Sequence, residues 1–162
     1  MPRIGRTSPV EYGYVNNVSG DGMVATFASG VKMVLQREGW RGSCGMTFEG
    51  DEGSASCADG YEKADVSSPS LLAEAEKLVA EYVERTKRPL NHVRDFFDCV
   101  KSRRWTVANP EVMHRSMSTV HAANVCMWLR RDVQFDPVRE EFVGDAEANR
   151  FLTRAQRAPW II

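Results

Sequence analysis

Three polar side chains fall on one stripe of a predicted helix in the last third of the chain. His114, Ser118 and His121 line up because seven residues make close to two helical turns. Such a strip could hold a polar ligand, but histidines that hydrogen-bond to backbone at a helix–sheet boundary are the favoured interpretation. A zinc site is disfavoured, because zinc ligands on one helix usually lie one turn apart and no carboxylate or cysteine joins these histidines at that spacing.

Two further places could contact a ligand. His92 and Arg94 begin a predicted helix just after Pro89, and a helix N-terminus can hold an anionic or polyhydroxyl group. The alternative is a capped, solvated helix start. Asn124 interrupts an otherwise apolar stripe, so its amide is either a buried group that the protein satisfies or a ligand contact.

Glycine motifs that cradle phosphates or present a nucleophile are absent. The sequence contains no G-x-G-x-x-G, no G-x-x-x-x-G-K-[ST] and no G-x-S-x-G. The looser G-x-G-x-x-A occurs at residues 20–25, but it leads into a strand and opens no helix, so it is interpreted as a turn. Asp51 and Glu52 are adjacent in another predicted turn, and neighbouring carboxylates need not converge on one substrate bond. The residues alone therefore identify no catalytic group and no metal site.

Length and charge narrow the class of protein. The 162 residues predict a single domain over residues 1–162, large enough for its own core. Lys and Arg total 21 against 22 Asp and Glu, a net charge of −1, so binding to nucleic acid or to an anionic membrane is not expected. The longest charge-free run, residues 116–129, falls short of the ~20 residues that span a bilayer and is predicted to be a buried core helix.

Cysteine usage and the first residues predict the compartment. The cysteines show no zinc or disulfide spacing, which predicts small, mostly buried thiols in a reducing environment. The N-terminus has no apolar segment of the kind found in a secretory signal, so the chain as written is expected to be cytoplasmic, with an export signal of a longer parent left open. The four cysteines are Cys44, Cys57, Cys99 and Cys126.

The front half of the chain reads as strands, from about residue 10 to residue 60. Residues 22–28 and 31–36 flank a Ser-Gly pair, which is typical of a two-residue hairpin. Gly50–Gly53 predicts another turn. Residues 10–15 are predicted to form an edge strand, because Pro9 suits an edge better than the centre of a sheet.

The back half reads as helices, from about residue 68 to residue 155. Ser68, Asn91 and Asp145 are predicted N-caps, and Pro110 opens the longest helix. Strands followed by helices predict an α+β fold, a mainly antiparallel open sheet with helices packed on one face. The apolar stripes at helical spacing are Leu71, Ala75, Leu78 and Tyr82, then Val93, Phe96, Phe97 and Val100, then Met113, Met117, Val120, Asn124 and Met127.

Several short motifs, in order, resemble the C-terminal domain of bacterial oxidoreductases of the glucose–fructose oxidoreductase/inositol dehydrogenase/MocA family. Each is weak alone, and their order together with the closing Arg-x-Pro-Trp makes the resemblance fairly specific. The motifs are Phe27–Met33, Phe48–Gly53, His92–Ser102, His114–Ser116, Phe135–Pro137, Gly144–Arg150 and Arg157–Trp160.

The resemblance implies an α/β domain whose open sheet walls a substrate pocket and often forms the oligomer interface. In this family a separate Rossmann domain binds NAD or NADP, and a Glu-Lys-Pro motif supplies a catalytic lysine. The chain has no Glu-Lys-Pro, and the family's His/Asp segment would precede Met1, so no catalytic or cofactor-binding residue carries over. No cofactor is therefore expected in this chain itself.

The leading hypothesis is a substrate-wall and oligomerisation domain of an NAD(P)-dependent sugar or polyol oxidoreductase that is inactive alone. Its expected partners are further copies of itself or a chain that carries a Rossmann domain, with a sugar or polyol as ligand. The alternative is a stand-alone carbohydrate-binding or structural homo-oligomeric protein. The candidate substrate-binding residues are His92, Arg94, His114, Arg115, His121 and Asn124.

Overall fold

A computed structural model gives the fold. Two residues named above, Cys44 and Trp160, lie outside the part of the chain that it describes. The described residues are 9–17, 20–35, 45–57, 65–154 and 157–159.

The chain divides into two compact units. Unit 1 comprises Met1–Glu38 and Pro110–Ile162, and unit 2 comprises Gly39–Asn109. A single domain over residues 1–162 stays a prediction.

The predicted α+β class is confirmed, because four helices accompany two antiparallel sheets in the part of the chain that the structure describes. The elements in chain order are β1 (Val10–Asn17), β2 (Gly20–Thr26), β3 (Lys32–Leu35), β4 (Met46–Gly50), β5 (Gly53–Cys57), β6 (Asp65–Val66), α1 (Pro69–Thr86), α2 (His92–Ser102), α3 (Pro110–Leu129), β7 (Val133–Asp136), β8 (Glu141–Phe142) and α4 (Ala146–Asn149), which continues as a 3-10 turn over Arg150–Leu152.

Unit 1 contains a five-stranded antiparallel sheet in the order β3-β2-β1-β7-β8. The prediction that residues 10–15 form an edge strand is wrong, because β1 lies third of five. Pro9 is compatible with this central position because it precedes the first paired residue, Val10. The N–H group that proline lacks is therefore not needed for a hydrogen bond between strands. Strands β7 and β8 fall in the range predicted to be helical. The sequence pattern did not reveal these two strands, because β7 has only four residues and β8 only two, too few to show an alternation of apolar and polar residues.

The hairpin between β2 and β3 is confirmed, but its loop has three residues where two were predicted. Phe27 N–H donates to Val31 O at 2.9 Å, and Gly30 N–H donates to Phe27 O at 2.8 Å. Gly30 adopts a φ of 85°, the left-handed conformation that closes a three-residue loop of this kind.

Helix α3 packs on one face of this sheet, against β1 and β2. The side of α3 that meets the sheet carries the small residues Ala122, Ala123 and Cys126, each at most 2% exposed. Most of the predicted apolar stripe lies on the opposite side, with Met113 49% and Met117 41% exposed, whereas Met127 is partly buried against the core. The prediction of a buried core helix over residues 116–129 therefore holds for one side of the helix only, because small residues let that side approach the sheet closely while several larger residues stay outside.

Unit 2 contains the three-stranded antiparallel sheet β4-β5-β6 and helices α1 and α2. The predicted caps are confirmed, since Ser68 Oγ accepts from Leu71 N–H at 3.4 Å and Asn91 Oδ1 accepts from Arg94 N–H at 2.9 Å. In unit 1, Asp145 caps α4 as predicted.

Candidate functional site

The open face of the five-stranded sheet, the face opposite α3, carries a row of polar side chains. Side chains alternate along a strand, so Glu11 lies on the face opposite its neighbour Tyr12, which is buried at 1% exposure. The strand register places Glu11 beside Thr26 on β2 and beside Gln134 on β7. A hydroxyl, a carboxylate and an amide therefore form one row across three adjacent strands.

A groove of about 370 Å³ lies at this row. Gly13 lies two residues along β1 from Glu11 and leaves a depression, because a Cβ there would meet nothing closer than Asp132 Oδ1 at 3.8 Å. Asp132 is held in place, since its Oδ1 accepts from Tyr14 N–H at 2.9 Å. We call the set Glu11, Gly13, Thr26, Asp132 and Gln134 the sheet groove.

The sheet groove suits a neutral ligand rich in hydroxyl groups. Glu11 and Asp132 supply acceptors, and Thr26 and Gln134 can both donate and accept. None of the described residues that line the groove is Lys, Arg or His. Hydroxyl groups can donate to the two carboxylates, whereas a second anion would be repelled by them. The nearest cation along the row is Lys32, which lies opposite Thr26 on β3, outside the groove lining.

Sequence reasoning missed the sheet groove entirely. Glu11 and Gln134 are separated by 123 positions, and only the pairing of β1 with β7 brings them together. The sequence feature that bears on the groove is the alternation along residues 10–15, in which every second residue is Glu11 or Gly13 between apolar neighbours. This alternation places Glu11 and Gly13 on one face of the strand, but it does not show which strands lie beside them.

The predicted polar stripe of α3 does not act as one strip. His114 Nε2 lies 2.7 Å from Glu140 Oε1, and Arg115 Nη1 donates to the carbonyl of Pro137 at 2.7 Å. These two side chains therefore tie α3 to the turn between β7 and β8. Ser118 Oγ donates to the carbonyl of His114 at 2.9 Å, within its own helix.

His121 and Asn124 differ from the first half of that stripe. Both lie on the side of α3 that faces away from the sheet, where His121 is exposed and Asn124 half-buried. Asn124 is therefore not the fully buried amide that one of the two sequence interpretations required. A substrate contact by either residue stays a prediction.

His92 and Arg94 belong to unit 2, and the other four candidate residues belong to unit 1. Arg94 Nε lies 3.1 Å from both carboxylate oxygens of Asp98, and the Asn91 side chain caps the Arg94 amide. This arrangement is the capped, solvated helix start, with the guanidinium already paired. Arg94 also lines an open groove of about 820 Å³ between the ends of α1 and α2.

A buried ion pair in unit 2 also escaped the sequence analysis. Arg88 Nη1 donates to Asp95 Oδ1 at 2.9 Å, and Arg88 Nη2 donates to the carbonyl of Trp105 at 2.7 Å. Asp95 is 3% exposed, and its Oδ2 accepts from Val107 N–H at 2.9 Å. The Val107 amide, and then Arg88, hold the pKa of Asp95 below its ordinary value. These bonds fix the loop after α2.

The segment that comes nearest to a glycine fingerprint does not have the strand–turn–helix setting of a dinucleotide site. Residues 20–25, the only approach to a glycine fingerprint, lie within β2, between two antiparallel neighbours. Their interpretation as a turn is therefore corrected to a strand, and no helix N-terminus follows to hold a pyrophosphate. In the same described set, no three His, Cys, Asp or Glu side chains converge on a metal position. None of the helices that the structure describes is long and apolar enough to cross a membrane.

Comparison with protein families decides the identity of the chain. The model of the C-terminal alpha/beta domain of the glucose–fructose oxidoreductase/inositol dehydrogenase/MocA oxidoreductase family matches residues 22–162. The chain belongs to this family. Curated proteins and solved structures give no match. Membership in a C-terminal domain of an oxidoreductase family agrees with the resemblance seen in the sequence, and it suggests a partner domain.

Proposed function

We propose that this chain forms a substrate wall and an assembly module of an NAD(P)-dependent sugar or polyol oxidoreductase. The cofactor and the catalytic groups would come from a dinucleotide-binding domain outside these residues, because the matched family model is a C-terminal domain and the sequence contains no Glu-Lys-Pro motif. The observation that carries the sugar part is the row of Thr26, Glu11 and Gln134 across three strands. Family membership supplies the oxidoreductase setting.

The sheet groove would bind a neutral sugar through hydroxyl groups that donate to Glu11 and Asp132. Gln134 Nε2 lies 3.5 Å from Glu11 Oε1, too far for a strong hydrogen bond, so a ligand hydroxyl can compete for both groups. Gly13 would let a ring approach the backbone of β1 closely. The wall would orient the ligand, and it would move no proton and no hydride itself.

Isothermal titration calorimetry of the purified chain with glucose and myo-inositol tests the sheet groove. Gly13→Val should abolish binding, because its side chain fills the groove while its Cβ meets no atom closer than 3.8 Å. Glu11→Gln should weaken binding by roughly 10- to 100-fold, the loss of a charge-assisted hydrogen bond. Glu141→Gln makes the same chemical change on the edge strand β8 of the same face, outside the groove, so it is the matched control and should bind as the wild type does.

Three results would count against the proposal. Wild-type protein that releases no heat with any neutral sugar has no sugar wall of this kind. Equal binding by Gly13→Val and wild type would place the ligand elsewhere, with His121 and Asn124 as the next residues to substitute. Saturable binding of NADH, followed by fluorescence, would show that the cofactor domain is not required.

A further inference from the structure

We draw no further inference here: the strongest candidate, the exposed apolar side of α3 around Met113, Met117 and Val120, is a helix face that turns away from the sheet, and nothing in the structure shows what covers it.

Discussion

The orientation of α3 can be tested by substituting one residue on each of its two sides. Ala123→Leu adds volume where the helix meets the sheet, and Ala123 is 2% exposed. The three additional carbon atoms of leucine would raise the free energy of unfolding by about 2.4 kcal/mol if the interface had room for them, at roughly 0.8 kcal/mol for each buried carbon group. A packed interface offers no such space, so we expect strain to dominate and the free energy of unfolding to fall by about 1–3 kcal/mol.

Met117→Gln makes the opposite change on the outer side. Met117 is 41% exposed, so replacing its thioether by an amide of similar length leaves the amide in reach of water. We expect a loss of about 1 kcal/mol or less in the free energy of unfolding of the monomer. A methionine facing the sheet would instead lose its apolar burial and bury an unpaired amide, at about 3 kcal/mol or more.

Urea unfolding followed by circular dichroism measures both substitutions, with linear extrapolation to water. The titrations are repeated at several protein concentrations, because any self-association would add a concentration-dependent contribution to the Met117→Gln difference. The reasoning fails if Met117→Gln destabilises the monomer as much as Ala123→Leu does, since the predicted stripe would then be the side that packs on the sheet.

Three further predictions concern other parts of the fold. The pKa of Asp95 is lowered in the folded state, so its contribution to stability is complete above its unfolded pKa of about 3.9 and is lost as the pH falls through the folded value. In urea titrations, the difference in free energy of unfolding between wild type and Asp95→Asn should therefore narrow below about pH 4. A difference that does not change with pH would contradict this. Burial raises the pKa of Cys126 to about 11, so iodoacetamide at pH 8 should label the exposed Cys57 and leave Cys126 unlabelled until the protein unfolds, as peptide mass mapping would show. Gly53→Ala should lower the melting temperature more than Gly30→Ala, because both glycines have positive φ but only a Cβ at Gly53 would meet neighbouring side chains; equal shifts would show that backbone strain alone matters.

Local features were predictable because their causes lie within a few residues. Ser68, Asn91 and Asp145 cap helices as predicted, since a capping oxygen reaches a backbone N–H only three residues away. The β2–β3 hairpin was predictable for the same reason, although its loop is one residue longer than expected. The resemblance to the oxidoreductase family came from short motifs in order, and the family model confirms it over residues 22–162.

The candidate site was much less predictable. Of the six candidate residues, Arg94, His114 and Arg115 pair with Asp98, Glu140 and the Pro137 carbonyl, partners that the sequence analysis did not anticipate. The sheet groove was missed because it depends on which strands pair, and a polar residue facing outward on a single strand gives no signal of its neighbours.

The sequence by itself determined the α+β class, the helix starts and the family, because composition, periodicity and capping act over short distances. Only the tertiary structure decided that β1 lies at the centre of the sheet and that Glu11 lies beside Gln134. It also decided that α3 turns its alanines toward the sheet and Met113 and Met117 outward. Burial of an apolar helix stripe lowers the free energy of the folded state whichever element covers the stripe. Sequence periodicity can therefore show that a helix face needs to be covered, but not which element covers it.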